Sequence, residues 1–178
     1  MTIRPTVFVA IALVAVVNTV SAQDLHLPNR ETPSPKTTNG VPHVQLGIDP
    51  NPDFSEKLLE RVAQFSGVSI GPTRVSLPGA VGFQLEDGMP LAHPEVVVGG
   101  REFAHLHPDG SLHASLEPDL AERAIEAGWA IAHPWANQRE GWEGVVMIYT
   151  PTNVEELDIV LELVAQSYGY VTGRAIIP

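Results

Sequence analysis

The feature that most constrains the fold of this chain is a turn, flanked by alternating sequence, within residues 101–116. Residues 107–110, His-Pro-Asp-Gly, have proline at the second position of a type I turn, aspartate at the third, and a glycine free to take positive φ. They predict a β-hairpin with a three-residue loop and a glycine bulge. In this register His105 lies opposite His113.

The two faces of this hairpin differ in polarity, because side chains alternate along a strand. The apolar face should pack on the core and carries Ala104, Leu106, Leu112, Ala114 and Leu116. The polar face carries Phe103, His105, His107, Ser111, His113 and Ser115. Glu102 falls on the opposite face in this register. A two-residue loop would place His113 opposite Leu106 and separate the histidines.

Two histidines on one strand and a third on the paired strand, all on the same face of a hairpin, can converge on a metal ion through their imidazole nitrogens. We therefore expect a metal site formed by His105, His107 and His113, of a kind that suits Zn or Fe(II). Glu102 could add an oxygen ligand, and His133 could arrive from a tryptophan-rich loop. The alternative is a polar sheet face, beside a groove or in solvent, that holds no ion.

The same residues support acid–base chemistry, because histidine titrates near neutral pH. Arg101 and Glu102 could form a structural ion pair or a substrate clamp, and Asp109 is better explained by the turn. A serine nucleophile is disfavoured, since no G-x-S-x-G motif occurs. The three tryptophans around His133 could stack on a flat ligand or simply pack the loop.

Composition narrows the choice of chemistry. The chain has 10 basic and 21 acidic residues, for a formal net charge of −11. This charge argues against nucleic-acid binding and against anionic membrane surfaces, and leaves a small molecule as the expected partner. There is no cysteine, which excludes disulfides, thiolate catalysis and Cys-ligated metals. Histidines and carboxylates must therefore carry the chemistry.

The N-terminal pattern predicts export. Residues 1–22 combine a basic start at Arg4, a short apolar run over residues 7–17 and a small-residue cleavage site ending at Ala22. We expect a signal peptide and a periplasmic or secreted protein. An uncleaved anchor is the lesser alternative, and only then would a membrane be a partner. Residues 23–42, rich in proline, predict a disordered linker before a single domain over 43–178.

Periodicity and turn residues predict an α+β fold, with a mostly antiparallel sheet packed on about three helices. Helices are expected at Asp53–Ser66, from Pro118 to Gly128, and from Thr152 or Asn153 to Gly169. Strands are expected in a hairpin over Val68–Leu85, in the histidine hairpin and in an interior strand at Val145–Tyr149. Glu95–Val98 could be a short edge strand, and Trp129–Gly144 is expected to be a loop.

Several separated motifs together resemble the luciferase domain of the fungal luciferases, which many bacterial proteins share. The motifs occur in the same order and at similar spacing from about residue 101 to residue 173. They are REFAHLH at 101–107, LH at 112–113, GW at 128–129, HP at 133–134, YTP at 149–151, EE at 155–156 and YVT at 170–172.

The resemblance implies an oxidative enzyme, since fungal luciferases add O2 to a hydroxylated pyrone without an organic cofactor. It implies catalytic roles for His105, His107, His113, His133, Arg101 and Glu102. One histidine would remove a phenolic or enolic proton, and Arg101 or a second histidine would stabilise the oxyanion. The fungal enzymes have a longer N-terminal region with a membrane anchor.

We therefore expect an exported oxidative enzyme that acts with O2 on a small hydroxylated aromatic or pyrone-like compound. Iron or zinc is the metal that the histidines would suit. The alternative is a non-catalytic envelope protein that binds a metal ion or small ligand through the same histidine face.

Overall fold

A six-stranded antiparallel sheet and three α-helices form the α+β fold expected from the sequence, in a computed structural model that describes residues 25–97, 99–174 and 176. The helices are α1 (Pro52–Val62), α2 (Pro118–Glu126) and α3 (Val154–Thr172). A two-stranded sheet consists of β1 (Lys36–Thr37) and β2 (Gln45–Leu46). The strands of the large sheet are β3 (Val68–Pro72), β4 (Val81–Leu85), β5 (Glu102–Leu106), β6 (Leu112–Ser115), β7 (Ala130–Ala132) and β8 (Val145–Ile148).

The large sheet has the order β3-β4-β5-β6-β8-β7, and its helix-facing side forms the core. Helix α3 packs on β5 and β6, α1 packs on α3, and α2 packs on β7. Fully buried side chains in this core include Phe83, Leu112, Ile148, Leu163 and Tyr168. Because the helices bury one face of the central hairpin, its other face is free to form a site. None of the helices in the described residues is long and apolar enough to cross a membrane.

Both predicted hairpin turns are confirmed. The Gly79 φ angle is 87°, and the Ala80 amide donates to the Leu77 carbonyl. In the histidine hairpin the Gly110 φ angle is 81°, and its amide donates to the His107 carbonyl. These positive φ angles favour glycine at the two positions. The turn also fixes the predicted register, in which His105 pairs with His113.

The face assignment was wrong at the start of β5. The β4–β5 pairing shifts register, with Phe83 opposite Ala104 and Gln84 opposite Glu102, so that Phe103 is an extra residue in the ladder. The Phe103 ring turns to the core, where it contacts Phe83 and Tyr168. The bulge therefore moves Phe103 off the histidine face and brings Glu102 onto it.

Helix α1 ends at Val62 and not at the predicted Ser66, and two other helix ends also differ from the predictions. Asn51, not Asp53, caps α1, and its side chain accepts from the Asp53 amide. Asn153 caps α3 as predicted, but α3 continues past Gly169 to Thr172. Burial of the last turn of α3 outweighs the low helix propensity of glycine.

The region after α2 is more regular than predicted. The predicted loop at 129–144 begins with β7, which pairs with β8. Strand β8 is paired on both sides, as expected of an interior strand, although it is second from the edge. The predicted edge strand at Glu95–Val98 is instead a single 3-10 turn, Pro94–Val96.

The described part of the predicted linker is attached to the domain. The buried Arg30 side chain donates to the Glu156 carboxylate at 2.9 Å and to the Thr150 carbonyl at 3.0 Å. The hairpin of β1 and β2 follows, so residues 25–42 are not a free tether. The predicted signal peptide, residues 1–22, lies outside the described residues.

Candidate histidine site

A cavity of about 370 Å³ lies against the histidine face of the β5–β6 hairpin. Five of its lining residues are histidines, and most of the others are apolar. We call His105, His107 and His113 the inner triad and His43 and His133 the outer pair. The apolar walls include Val75, Leu77, Val96, Trp135, Trp142 and Val145.

Glu102, His105, His113 and His43 form one continuous chain of polar contacts. His105 Nδ1 lies 2.9 Å from Glu102 Oε1, and His105 Nε2 lies 3.1 Å from His113 Nδ1. The other nitrogen of His113, Nε2, lies 3.1 Å from His43 Nδ1. Both ring nitrogens of His105 and of His113 are therefore engaged.

The Glu102 carboxylate is fixed from several sides. Thr73 Oγ1 donates to Oε1 at 2.7 Å, while the Arg74 amide and Gln84 Nε2 donate to Oε2 at 2.8 and 2.7 Å. Burial raises the pKa of Glu102, but the hydrogen bonds from His105, Arg74 and Thr73 outweigh it and hold that pKa below its usual value. The carboxylate is thus ionised and accepts a hydrogen bond from the N–H group at His105 Nδ1.

His107 is held by the turn itself. The Ser111 hydroxyl donates to Asp109 Oδ1 at 2.7 Å, so its oxygen is free to accept from His107 Nδ1 at 3.0 Å. The other nitrogen, His107 Nε2, is buried and has no hydrogen-bond partner. An unpartnered buried nitrogen in a cavity wall marks a place where a ligand can bind.

His133 sits at the outer side of the cluster. Its ring lies edge-on to His113 and to His43, with centroid separations of 4.8 and 5.5 Å. The Trp135 backbone amide donates to His133 Nδ1 at 3.1 Å. In the neutral ring the proton is therefore on Nε2, which acts as a donor.

Four of the five histidines have lowered pKa values and are uncharged at neutral pH, namely His43, His107, His113 and His133. Burial is the main cause, and it lowers the pKa of His107 to about 4 and that of His133 to about 4. Burial also lowers the pKa of His113 and, to a smaller extent, that of His43. Neutral imidazoles keep lone pairs available for a metal ion or for a hydrogen-bond donor.

Two groups of three ring nitrogens are close enough to hold an ion. One nitrogen from each of His105, His107 and His113 lies within 4.8 Å of the other two, and the same holds for His43, His113 and His133. Both groups use His113. The first is the metal site predicted from the sequence.

Most of the predicted site residues converge, but Arg101 does not. His105, His107, His113, His133 and Glu102 all line the cavity. Arg101 is absent from the lining, and its guanidinium donates to the Met89 carbonyl. The structure thus gives Arg101 a structural contact away from the cavity.

His43, which was not among the predicted site residues, reaches the cluster from the loop between β1 and β2. Gln45, two residues later, fastens the hairpin of β1 and β2 to the histidine turn, since its amide donates to Asp109 Oδ2 at 2.9 Å. The Gln45 side chain also bonds Thr150. No local pattern marks His43, because its partner His113 is 70 residues away.

Comparison with known proteins agrees with the resemblance. Residues 100–167 match the family model of the luciferase domain. This part of the chain is similar to a luciferase domain. This match includes the inner triad and His133 but not His43.

The chain is also similar to fungal proteins named luciferase. The Armillaria gallica protein is 29% identical over 166 residues, covering 83% of this chain and 62% of the relative. The Armillaria mellea protein is 28% identical with the same coverage. The Neonothopanus nambi protein is 33% identical over 88 residues, covering 46% of this chain and 32% of the relative. The chain spans about three-fifths of the length of the Armillaria luciferases, and no solved structure matches it.

Proposed function

We propose that this protein is an enzyme that uses O2 to oxidise a small hydroxylated aromatic or pyrone-like compound. The observation that carries the proposal is the position of the inner triad, which together with Glu102 and the outer pair forms the polar wall of a cavity whose other walls are mostly apolar. The resemblance to luciferases implies the use of O2.

The cavity suits a flat and uncharged compound. Its volume, about 370 Å³, is near the lower end of the range for small-molecule sites. Trp135 and Trp142 offer aromatic surface on one side, and Trp135 is 43% exposed. No Lys or Arg occurs among the described lining residues. An anionic carboxylate on the compound would therefore have no partner there.

The reaction needs an ionised hydroxyl group. A phenolic or enolic hydroxyl placed against the inner triad would pass its proton to a ring nitrogen of one of these histidines, leaving an electron-rich ring carbon. That carbon would add O2, so that one C–O bond forms, O2 is reduced to the peroxide level, and the released proton balances the hydroperoxide. His133 offers an Nε2–H donor that would stabilise the oxyanion. Arg101 has no part in this scheme.

A second candidate function is binding without turnover. The unpartnered His107 Nε2 favours it, since that atom accounts for ligand binding without requiring any reaction. In that case the cavity would take up a metal ion or a small compound and release it unchanged.

Oxygen consumption distinguishes the two functions. The purified protein would be incubated with a catechol, a 4-hydroxy-2-pyrone and a flavonol in an oxygen electrode. We expect uptake with at least one compound and its loss in His113→Gln. His93→Gln is the matched control, because His93 is exposed and contacts Glu95 and Tyr170 instead of the cavity. No uptake with any compound, together with thermal stabilisation by one of them, would favour binding alone.

We also propose that the protein is exported, on the sequence pattern of residues 1–22 alone. Mass spectrometry of the protein recovered from producing cells would test this. Cleavage after Ala22 is expected, and an intact N-terminus in the cytoplasm would contradict the proposal.

A further inference from the structure

We propose that His105, His107 and His113 bind one divalent transition-metal ion and that this ion activates the substrate hydroxyl. Binding of the ion stands on the geometry of the inner triad alone. The role of the ion as activator rests on the function proposed above.

The spacing of the nitrogens fits ligation. Zn–N bonds of about 2.0–2.1 Å at tetrahedral angles separate two ligand nitrogens by roughly 3.3 Å. His105 Nε2 and His113 Nδ1 are 3.1 Å apart, and one nitrogen of His107 lies within 4.8 Å of both rings' ligand atoms. The His107 nitrogen would have to move closer to the other two to complete a three-nitrogen site.

The nitrogen that each ring of the triad turns away from the ion already has a partner. His105 Nδ1 faces the Glu102 carboxylate, and His107 Nδ1 faces the Ser111 hydroxyl. His113 Nε2 faces His43 Nδ1. Such outer hydrogen bonds fix the tautomer and orientation of metal-binding histidines. The rings of His105 and His107 are thereby set to direct a lone pair inward, and His113 does so when its proton is on Nε2.

His107 supplies an independent observation that points to a ligand. Its side chain is 1% exposed, and Nε2 has no hydrogen-bond partner. Because the Ser111 hydroxyl oxygen accepts a hydrogen bond from the N–H group at Nδ1, the other nitrogen of the neutral ring, Nε2, carries a lone pair. A buried lone pair without a donor is unfavourable unless a ligand occupies it.

The second group of three, His43, His113 and His133, is less suited to an ion. The His133 Nδ1 lone pair already accepts from the Trp135 amide, and its Nε2 carries the proton. His113 in its neutral form has a single lone pair to give. If that lone pair is on Nδ1, the ion lies with His105 and His107, and the His113 Nε2–H donates to His43.

The ligand set indicates the class of metal. Imidazole nitrogens suit zinc, iron and copper, whereas Mg²⁺ and Ca²⁺ prefer oxygen ligands. Three neutral ligands leave the full double charge on the ion, and all three residues line the cavity, so an open position faces it. An ion there would act as a Lewis acid on the hydroxyl oxygen.

Metal content of the full chain tests the site. The protein would be stripped with a chelator, reloaded with Zn²⁺ or Co²⁺, and assayed by elemental mass spectrometry and by the Co²⁺ visible spectrum. We expect one ion per chain in the parent, in His133→Gln and in the His93→Gln control. We expect none in His107→Gln. Loss of the ion in His133→Gln with retention in His107→Gln would overturn the assignment, as would a parent that binds no ion.

Circular dichroism and thermal melting would show whether each variant is folded. Ser111→Ala gives a second test that leaves every proposed ligand in place. It removes the partner of His107 Nδ1 together with the hydrogen bond from the Ser111 hydroxyl to Asp109, and we expect roughly 10- to 100-fold weaker Zn²⁺ binding. Unchanged affinity in Ser111→Ala would overturn the role given to His107.

The metal site and the oxidation reaction are separate proposals, and each can be refuted without the other. One bound ion without oxygen uptake upholds the site and refutes the proposed reaction. Oxygen uptake that persists after complete removal of metal upholds the reaction and refutes the ion as activator.

Discussion

The Glu102 carboxylate occupies the space that a side chain at Gly82 would need. A Cβ atom at residue 82 would lie 2.6 Å from Glu102 Oε2 and 2.8 Å from Gln84 Nε2. The backbone of Gly82 is ordinary strand, so glycine is required for space and not for its φ angle. The absence of a side chain on β4 thus permits Glu102 to reach His105.

Gly82→Ala should therefore displace Glu102 and release His105 Nδ1. We expect a loss of about 1–3 kcal/mol in the free energy of unfolding from the forced contact. Zn²⁺ affinity should fall roughly 10- to 100-fold, since the partner that orients His105 is moved. Urea unfolding and metal titration measure the two effects.

Gly71→Ala is the matched control for Gly82→Ala. Gly71 pairs directly with Gly82 in the β3–β4 ladder, but nothing lies within 4 Å of where its Cβ would be. The free energy of unfolding of Gly71→Ala should differ from that of the parent by less than about 0.5 kcal/mol. Equal effects of the two substitutions would show that the Gly82 result comes from the strand backbone and not from Glu102.

The parts of the site set by local sequence were predictable. Turn residues 107–110 determine the hairpin loop, and the loop determines that His105 lies opposite His113. Alternation then places His107 on the same face. The capping role of Asn153 and the turn at Gly79 were also predicted from neighbouring residues alone. Each of these features depends on residues a few positions apart.

The parts that depend on distant residues were not predictable. The bulge at Phe103 exists because β4 pairs out of step with β5, and only that pairing brings Glu102 to His105. His43 reaches the cluster because Gln45 is fastened to Asp109, 64 residues away. Arg30 lies in proline-rich sequence that resembles a linker, and its partner Glu156 is 126 residues away.

The Arg30–Glu156 pair should make stability depend on acid pH. Burial raises the pKa of Glu156, but hydrogen bonds from Thr32, Arg30 and Thr152 outweigh it and hold that pKa below its usual value. The stabilisation is therefore complete above the unfolded pKa of about 4.3 and is lost as the pH falls through the lowered pKa. Thermal unfolding between pH 7 and pH 3 would show this decline.

Glu156→Gln should remove that acid dependence. At pH 7 it leaves the Arg30 charge buried without its partner, and we expect a loss of about 3 kcal/mol in the free energy of unfolding. The difference from the parent should shrink below about pH 4.3. Glu155→Gln, an exposed neighbour in the same helical turn, is the control and should change little. A difference that stays constant down to pH 3 would contradict the assignment.

Asp109→Asn should loosen the hairpin that carries His43. Asp109 Oδ2 accepts from the Gln45 amide, and an asparagine could turn an N–H group toward that donor. We expect a loss of about 1–2 kcal/mol in the free energy of unfolding and faster hydrogen exchange at the Gln45 backbone amide. Asp87→Asn, in an exposed Asp-Gly turn of its own, is the control. Unchanged exchange in Asp109→Asn would show that the strand is held by other contacts.

Trp135→Ala should weaken binding of flat compounds with little effect on the fold. The Trp135 side chain is 43% exposed and lines the cavity, so it contributes aromatic surface that few internal contacts require. We expect roughly tenfold weaker binding of 4-methylcatechol, and partial recovery in Trp135→Phe. Calorimetric titration measures both. Equal affinities in parent and alanine variant would place the compound elsewhere in the cavity.

Incorporation of oxygen from ¹⁸O2 tests the central claim most directly. The protein would be incubated under ¹⁸O2 with a compound that causes oxygen uptake in the oxygen electrode. The mass of the product would then be determined by mass spectrometry. We predict a product that carries ¹⁸O in the parent and in His93→Gln, and no labelled product in His113→Gln. A product without ¹⁸O, or equal labelling in His113→Gln, would contradict oxidation by O2 at the histidine site.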